Sequence, residues 1–390
     1  MTPRLLFWVQ HLLGIGHLMR AATLARAFEA HGFAVTLVSG GMEVPGFDPR
    51  IDRFVQLPPT RATDRYFKVL VDAQDNRIDD AWKARRRDRL LSVFAETRPD
   101  VLLVELYPFG RRQMRFEVEP LLEAAHALPA RPLIVSSVRD ILVEPDKPER
   151  IDEMVARLRR FFDLVLVHGD GTFIPFETTF PRLAEIADMA RYTGYVVDPP
   201  PPREGPGAPG WGEVIVSTGG GAVGSELIEA ALAARPLTAL AAAPWRMLAG
   251  HNLPDDRFAA LAAAAPQGVV VERARADFRR LVANCRLSVS QGGYNTVMEV
   301  LAAGVPAVAV PYAGGLESEQ TLRCGLLAER GALQVVAEKD VTPASLAAAI
   351  DRAAASPPGA VTLDTGGATR SAALVRNALA ALRKRQDTVF

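Results

Sequence analysis

Three glycine-containing stretches set polar side chains where an apolar run gives way to a helical pattern. The first is Gly14-Ile15-Gly16-His17, whose glycines Gly14 and Gly16 sit where a strand-to-helix turn lets a ligand approach backbone amides. His17 is the chemically interesting member: an imidazole there accepts a proton near neutral pH, which as general base catalysis contributes about 10²–10⁴-fold. For an isolated histidine, a helix cap or a solvent-facing residue is the plainer reading. The loop is not a Walker A motif, which ends in Gly-Lys-Ser/Thr, and it lacks the third glycine of the dinucleotide fingerprint.

The second stretch is Ser217-Thr218-Gly219-Gly220-Gly221, followed by Gly224-Ser225-Glu226-Leu227. A nest of backbone N–H groups with a helix N-terminus behind it holds a diphosphate without a cation; a plain turn is the alternative. The third is the richest: Ser290-Gln291-Gly292-Gly293-Tyr294-Asn295-Thr296-Val297-Met298-Glu299, then Gly304-Val305-Pro306, Val310-Pro311 and Glu319-Gln320. Glu299 falls one helical turn after Asn295 and Thr296, on the same side of a helix. A phosphate at that helix start would leave the carboxylate free to accept bonds from ribose hydroxyls.

These loops need a scaffold, and the apolar pattern supplies one. Short apolar runs at 5–9, 34–38, 54–57, 101–105, 133–137 and 164–168 alternate with helical patterns at 17–31, within 81–97 and at 149–162. Such an alternation predicts a mostly parallel sheet wrapped by helices. Then Asp198-Pro199-Pro200-Pro201-Pro202-Arg203-Glu204-Gly205-Pro206-Gly207-Ala208-Pro209-Gly210 interrupts with a run that sustains neither helix nor ladder. The pattern restarts with strands at 214–217, 246–249, 269–272, 287–290, 307–311 and 333–336. The reading is an α/β chain of two doubly wound, Rossmann-like domains facing across a cleft, with ligands at the carboxyl ends of the strands. Its expected parts are an acceptor-binding domain over 1–198, a linker over 199–212, a donor-binding domain over 213–365 and a C-terminal helix over 366–390.

With 390 residues, 49% hydrophobic and 23% charged, the chain supports two ordinary globular cores. Lys+Arg 45 balance Asp+Glu 45, so no overall field favours nucleic acid. Two cysteines, Cys285 and Cys324, and no His cluster at ligand spacing argue against a disulfide framework or a metal site. The scarce cysteines fit a reducing cytoplasm, so a cytoplasmic protein is expected, and no apolar stretch reaches a membrane-spanning length, so it is expected to be soluble or peripheral. The basic run Lys83, Arg85, Arg86, Arg87 and Arg89 offers peripheral contact with anionic lipid at the inner face of the membrane, although a solvated helix face is the default.

The order of these motifs resembles the GT-B glycosyltransferases, above all the MurG-like branch of glycosyltransferase family 28 and its UDP-glycosyltransferase relatives. The resemblance is specific over 288–320, extends to Gly14–His17 and 31–38, and leaves most of 60–200 without a recognised motif. It implies a nucleotide-sugar donor, a UDP-sugar, as co-substrate with no further cofactor and no metal, and a hydroxyl acceptor that is lipid-linked in part of the family. In that light His17 corresponds to the proposed general base. Thr218, Gly219, Gly220 and Gly221, with Gln291, Gly292, Gly293, Asn295 and Thr296, would hold the diphosphate, Glu299 the ribose, and Glu319 with Gln320 the sugar; the base would lie near 246–250 and 272–275. Plant-type relatives carry His where this chain has Gln291, so phosphate stabilisation here leans on backbone amides and the helix dipole.

The implied reaction is a single displacement at the anomeric carbon, with inversion. Glu105, Tyr107, Arg111, Arg139 and Asp140 follow apparent strand ends and are the expected acceptor-side residues, with surface salt bridges as the alternative. Two other functions fit the same scaffold: a nucleotide-sugar epimerase or hydrolase, and a non-catalytic nucleotide-sugar-binding protein.

Overall fold

The computed structural model describes residues 2–64, 67–142, 148–219, 225–251, 253–312, 319–356 and 363–387. The chain divides into two compact units, Met1–Val196 with Asp364–Phe390, and Val197–Leu363.

In the first unit, strands β1 (Arg4–Val9), β2 (Ala34–Ser39) and β3 (Arg53–Gln56) are followed by a small antiparallel pair, β4 (Arg61–Ala62) and β5 (Leu70–Val71). Then come β6 (Val101–Glu105), β7 (Leu133–Arg139), β8 (Leu164–His168) and β9 (Ala190–Tyr192). Helices α1 (Gly16–Ala30), α2 (Asp80–Thr97), α3 (Arg115–His126) and α4 (Pro148–Phe161) lie between them. The main sheet is parallel in the order β3-β2-β1-β6-β7-β8-β9.

Strand β1 reads as an unbroken apolar run because both of its faces are covered. Leu6 and Trp8 join a core beneath α2, α3 and α4, while Leu5, Phe7 and Val9 join a core with Leu18, Leu24 and Phe28 of α1. The second core is completed from the far end of the chain. Ala372, Val375, Leu379 and Leu382 of α11 (Gly367–Asp387) recur at helical spacing and pack into it, so the last helix belongs to the first unit.

The second unit carries β10 (Val214–Ser217), β11 (Trp245–Ala249), β12 (Val269–Arg273), β13 (Leu287–Gln291), β14 (Ala307–Val310) and β15 (Gln334–Val335). Its helices are α5 (Ser225–Ala234), α6 (Asp255–Ala263), α7 (Phe278–Asn284), α8 (Tyr294–Ala302), α9 (Glu319–Glu329) and α10 (Pro343–Ala355). The sheet order β12-β11-β10-β13-β14-β15 repeats that of the first unit without its last strand. In both sheets the order reverses beside the first strand, between β1 and β6 and between β10 and β13, which is where such sheets open a crevice at their carboxyl ends.

The proline-rich run differs from the extended linker that its composition suggests. The Glu204 carboxylate receives two bonds from Arg280 of α7, at 2.6 and 2.7 Å, and the Glu204 N–H donates to Asn284 at 2.7 Å. Arg203 lies over the Trp211 ring at 5.1 Å, so these anchors hold the run on the second unit.

The basic run on α2 is also partly redirected. Arg86 is fully buried, donating from Nε to Glu117 Oε2 at 2.6 Å and from Nη2 to Glu117 Oε1 at 2.9 Å. It further bonds the carbonyls of Gly40 and Pro58 and the Gln10 side chain, tying the ends of β1 and β2 to α3. A Cβ at Gly40 would lie 2.0 Å from Arg86 Nη2, which is why glycine stands there. Arg86→Ala would leave the buried Glu117 carboxylate without its cation, at a cost of about 3–5 kcal/mol. Hydrogen exchange should report that loss as faster exchange of β1 and β2 amides, with the β10 and β13 amides of the second unit unchanged.

Candidate functional site

At the reversal point of the first sheet, His17 occupies the second position of α1 and Glu105 ends β6. His17 Nδ1 lies 2.9 Å from Glu105 Oε1, and Arg20, one turn further along α1, also donates to that oxygen. Burial by itself would raise the Glu105 pKa, but Arg20 and the bonds from His17 and Ser137 hold the carboxyl well below the usual range. Arg20 Nη2 also lies 3.1 Å from His17 Nδ1, but Glu105 Oε1 is nearer and an ionised carboxylate only accepts, so His17 donates from Nδ1 and keeps the Nε2 lone pair for an external proton. The imidazole is 12% exposed.

Arg111 and Arg139 complete the electrostatics. Arg111 adopts a left-handed backbone (φ 58°) and donates from Nε to the Gln10 carbonyl at 2.8 Å. Burial, and then Arg139, lower Arg111 to about 10, so it remains a cation at neutral pH. Burial lowers His17 to about 3, Arg111 adds to the effect and the Glu105 bond opposes it. His17 is therefore a neutral imidazole among cations.

Gly14 has no atom within 4 Å of the position a Cβ would take, so the space over the loop is open. Helix α1 has no side-chain cap and no acid in its first turn, which leaves its first N–H groups unscreened. The structure thus gathers His17, Glu105, Arg111 and Arg139 and adds Arg20, which sequence reading missed although His17 and Arg20 stand at a helical i, i+3 spacing. Tyr107 is a correction. Its ring is buried in the core and its hydroxyl donates to Glu119 at 2.7 Å, because the chain turns down onto α3 at that point. Asp140 is likewise fully buried, with Gly169 packed so closely that a Cβ there would lie 2.4 Å from it.

At the corresponding point of the second unit, Ser217 ends β10, Thr218 follows it and Gln291 ends β13. Thr218 Oγ1 accepts from the Gly250 N–H at 3.1 Å, and Gly219 has the positive φ (68°) that glycine tolerates best. Gly220 and Gly221 lie outside the described residues. Gly293 caps α8 with no side-chain bond, no acid follows in the first turn, and a Cβ at Gly293 would meet nothing within 4 Å. Gln291, Asn295 and Thr296 are half-buried, and their side chains form no hydrogen bond among the described residues. Gly292 has a packing reason: a Cβ there would fall 2.6 Å from Cys324 Sγ.

Glu299 is pushed up to about 7 by burial, with Arg279 opposing and Asp198 adding to the rise. Glu319, expected near the donor sugar, is buried and accepts from Arg323 at 2.6 Å, while Arg323 stacks on Tyr294. Gln320 accepts from the Tyr312 N–H at 3.1 Å. In the proposed base-binding region, Arg246 stands near the start of β11 and makes a two-pronged bond to Glu213 at 2.6 and 2.8 Å, a structural role. Arg273 instead braces the loop after β11 through the carbonyls of Gly250 and Leu253. Among the described residues there is no group of three or more His, Cys, Asp or Glu placed to hold a metal ion, and no helix long and apolar enough to cross a membrane.

Residues 215–381 match the glycosyltransferase family 28 C-terminal domain. The UDP-N-acetylglucosamine–N-acetylmuramyl-(pentapeptide) pyrophosphoryl-undecaprenol N-acetylglucosamine transferase of Rhodopseudomonas palustris is 40% identical over 81 residues, 21% of this chain and 22% of that protein. The match thus spans about a fifth of the relative's length. Two solved structures align along the whole chain: MurG of Acinetobacter baumannii, at 16% identity and TM-score 0.55, covers 98% of this chain and 100% of its own. A Listeria monocytogenes protein described as a UDP-N-acetylglucosamine 2-epimerase, at 12% identity and TM-score 0.61, covers 99% of this chain and 98% of its own. The fold is that of the GT-B proteins, with two Rossmann-like units.

Two pH effects follow. A carboxyl raised in the folded state holds a proton that the unfolded chain gives up, so Glu299 makes the second unit less stable as pH climbs from about 4.5 towards about 7, by at most about 3 kcal/mol. Denaturation at pH 5.5 and 8 should show this fall, and Glu299→Gln should abolish it. For His17, ¹⁵N NMR should find a neutral ring at pH 5, and Arg111→Gln should move its titration upward by removing a neighbouring cation.

Proposed function

We propose that this chain, whose residues 215–381 belong to the glycosyltransferase family 28 C-terminal domain, moves a sugar from a nucleoside-diphosphate sugar to an acceptor hydroxyl with inversion and without a metal. The observation that carries the reading is the end of β13. There the side chains of Gln291, Asn295 and Thr296 make no protein bonds among the described residues, beside an uncapped helix N-terminus and one turn before Glu299. That is the chemistry of a diphosphate followed by a ribose.

In this reading the second unit holds the donor and the first prepares the acceptor. The amides at the start of α8, with Thr218 and Gly219, take the charge that grows on the leaving diphosphate. Glu299 accepts from the ribose hydroxyls. On the acceptor side, His17 Nε2 removes the hydroxyl proton as the acceptor oxygen bonds to the anomeric carbon. The carbon–oxygen bond to the diphosphate breaks, and its electron pair leaves with the nucleotide. Arg20, Arg111 and Arg139 lower the cost of negative charge on the acceptor oxygen, and Glu105 faces the imidazolium as it forms. The acceptor is a hydroxyl compound, lipid-linked if the likeness to the Rhodopseudomonas enzyme extends to it, and contact with a membrane surface would then be peripheral.

The fold shared with the Listeria protein keeps a second reading in view, an epimerase or hydrolase acting on the same donor. The test is thermal stabilisation by UDP-, dTDP- and GDP-sugars in EDTA, where a ligand at 100 times its Kd adds about 2.7 kcal/mol. A shift with one nucleotide class is expected, and no shift with any would overturn the donor reading. Glu299→Ala should raise the donor KM about tenfold or more. His17→Ala should lower kcat by about 10²–10⁴-fold at little cost in donor binding. Free or epimerised sugar released without an acceptor would favour the second reading.

A further inference from the structure

Behind Glu105 the structure continues inward through a line of buried polar side chains. Ser137, near the end of β7, donates from Oγ to Glu105 Oε2, the oxygen opposite the one that His17 and Arg20 use. Ser137 Oγ also lies 2.9 Å from His168 Nε2 at the end of β8, and His168 Nδ1 lies 2.9 Å from Thr193 Oγ1, just beyond β9. Glu105, Ser137, His168 and Thr193 are all fully buried. They come from four neighbouring strands of the sheet or the residue that follows one, in the order β6-β7-β8-β9.

From Glu105 to His168 the carboxylate dictates where the protons sit. Ionised Glu105 has no proton to give, so the single hydroxyl proton of Ser137 points to it. Ser137 then accepts from His168, which places the imidazole proton on Nε2 and leaves Nδ1 unprotonated beside the Thr193 hydroxyl, whose proton is shared with the Gly194 carbonyl at 2.8 Å. A neutral ring suits the position, and burial, with Arg20 adding, lowers His168 to about 3. The far end is fastened as well. The Thr193 carbonyl accepts from Arg370 Nη1 at 2.6 Å, and Tyr195 N–H donates to the Asp364 carbonyl at 2.7 Å. The line therefore ends where the chain leaves the first unit, at Val196, and where it returns, at Asp364.

We propose that Ser137, His168 and Thr193 are positioning residues: a buried, directional hydrogen-bond relay that fixes the Glu105 carboxylate and, through it, the orientation and tautomer of His17. The inference rests on the reading of His17 as the base. A carboxylate whose two oxygens take His17 and Arg20 on one side and a serine on the other cannot rotate without breaking a buried bond. Without Ser137, the second oxygen loses its donor in a place water does not reach, and the carboxylate is free to swing away from His17.

The test has two arms. In ¹⁵N-histidine-labelled protein, His168 should be protonated at Nε2 and His17 at Nδ1, opposite tautomers in one molecule, and Ser137→Ala should turn His17 into a mixture. This arm needs no turnover and no variant for its first measurement. The second arm is kinetic: Ser137→Ala and His168→Phe should lower kcat about tenfold, the worth of one buried hydrogen bond, with donor KM within about twofold. Ser137→Thr, which keeps the hydroxyl, and His168→Gln, which keeps an N–H towards Ser137, should restore most of the rate. A His168 proton on Nδ1, or a His17 tautomer unmoved by Ser137→Ala, would overturn the relay, as would Ser137→Thr behaving no better than Ser137→Ala. Should the wild-type protein transfer no sugar while the tautomers are as stated, the transferase reading fails and the relay stands.

Discussion

A carboxylate with no access to water has to be met by donors on every side, and Glu105 imposes that requirement on the first unit. Its oxygens draw in the side chains of α1 from one direction and of β7 from the other, and through Ser137 the demand passes to β8 and the turn after β9. The parallel sheet makes this possible, because adjacent strands end side by side and deliver one polar residue each to the same layer. The pairing with Arg20 keeps the group ionised despite burial, and ionisation gives the hydrogen bonds a direction.

A second buried charge works beneath the same loop with a different result. Arg86 and Glu117 satisfy each other and also the carbonyls and amide that end β1 and β2, which fixes the stem from which Gly14–His17 projects. Arg86 and Glu117 are both fully buried, so this pair shapes the stem of the site from within the core. The contrast with Glu105 is one of location: Glu105 sits at the reversal point, with a partly exposed imidazole between it and solvent, and Glu117 does not.

The second unit meets charge by the opposite means. The start of α8 is left uncapped, and the polar side chains around it are not consumed by protein partners among the described residues. What surrounds it is locked: Arg323 holds Glu319 and covers Tyr294, and Gln320 holds the backbone at Tyr312. A rigid rim around open amides is what an anion needs from a site that does not reorganise on binding.

Much of this was legible in the residues. The apolar alternation marked every strand of the second sheet and all but β9 of the first, since a strand buried on two faces needs a run of large apolar residues, and the glycine loops marked the strand ends where the sheets reverse. Strands β4, β5 and β9 escaped notice because each has only two or three residues and, unlike β15 between Leu333 and Val336, stands out by no longer apolar run. The place of α11 was undetermined by its amphipathic pattern, since an apolar stripe states that a face must be covered and not by what. The same limit explains the polar residues. Sequence order put Tyr107 beside Glu105, yet the backbone turns one into the site and the other into the core. Ser137, His168 and Thr193, scattered over the chain, have no shared spacing that could announce them. The sequence by itself determined which segments form strands, where they end and which ends bear chemistry, because those depend on near neighbours. Only the tertiary structure decided which charges meet, because a buried carboxylate selects its donors by distance in space, across strands that lie far apart along the chain.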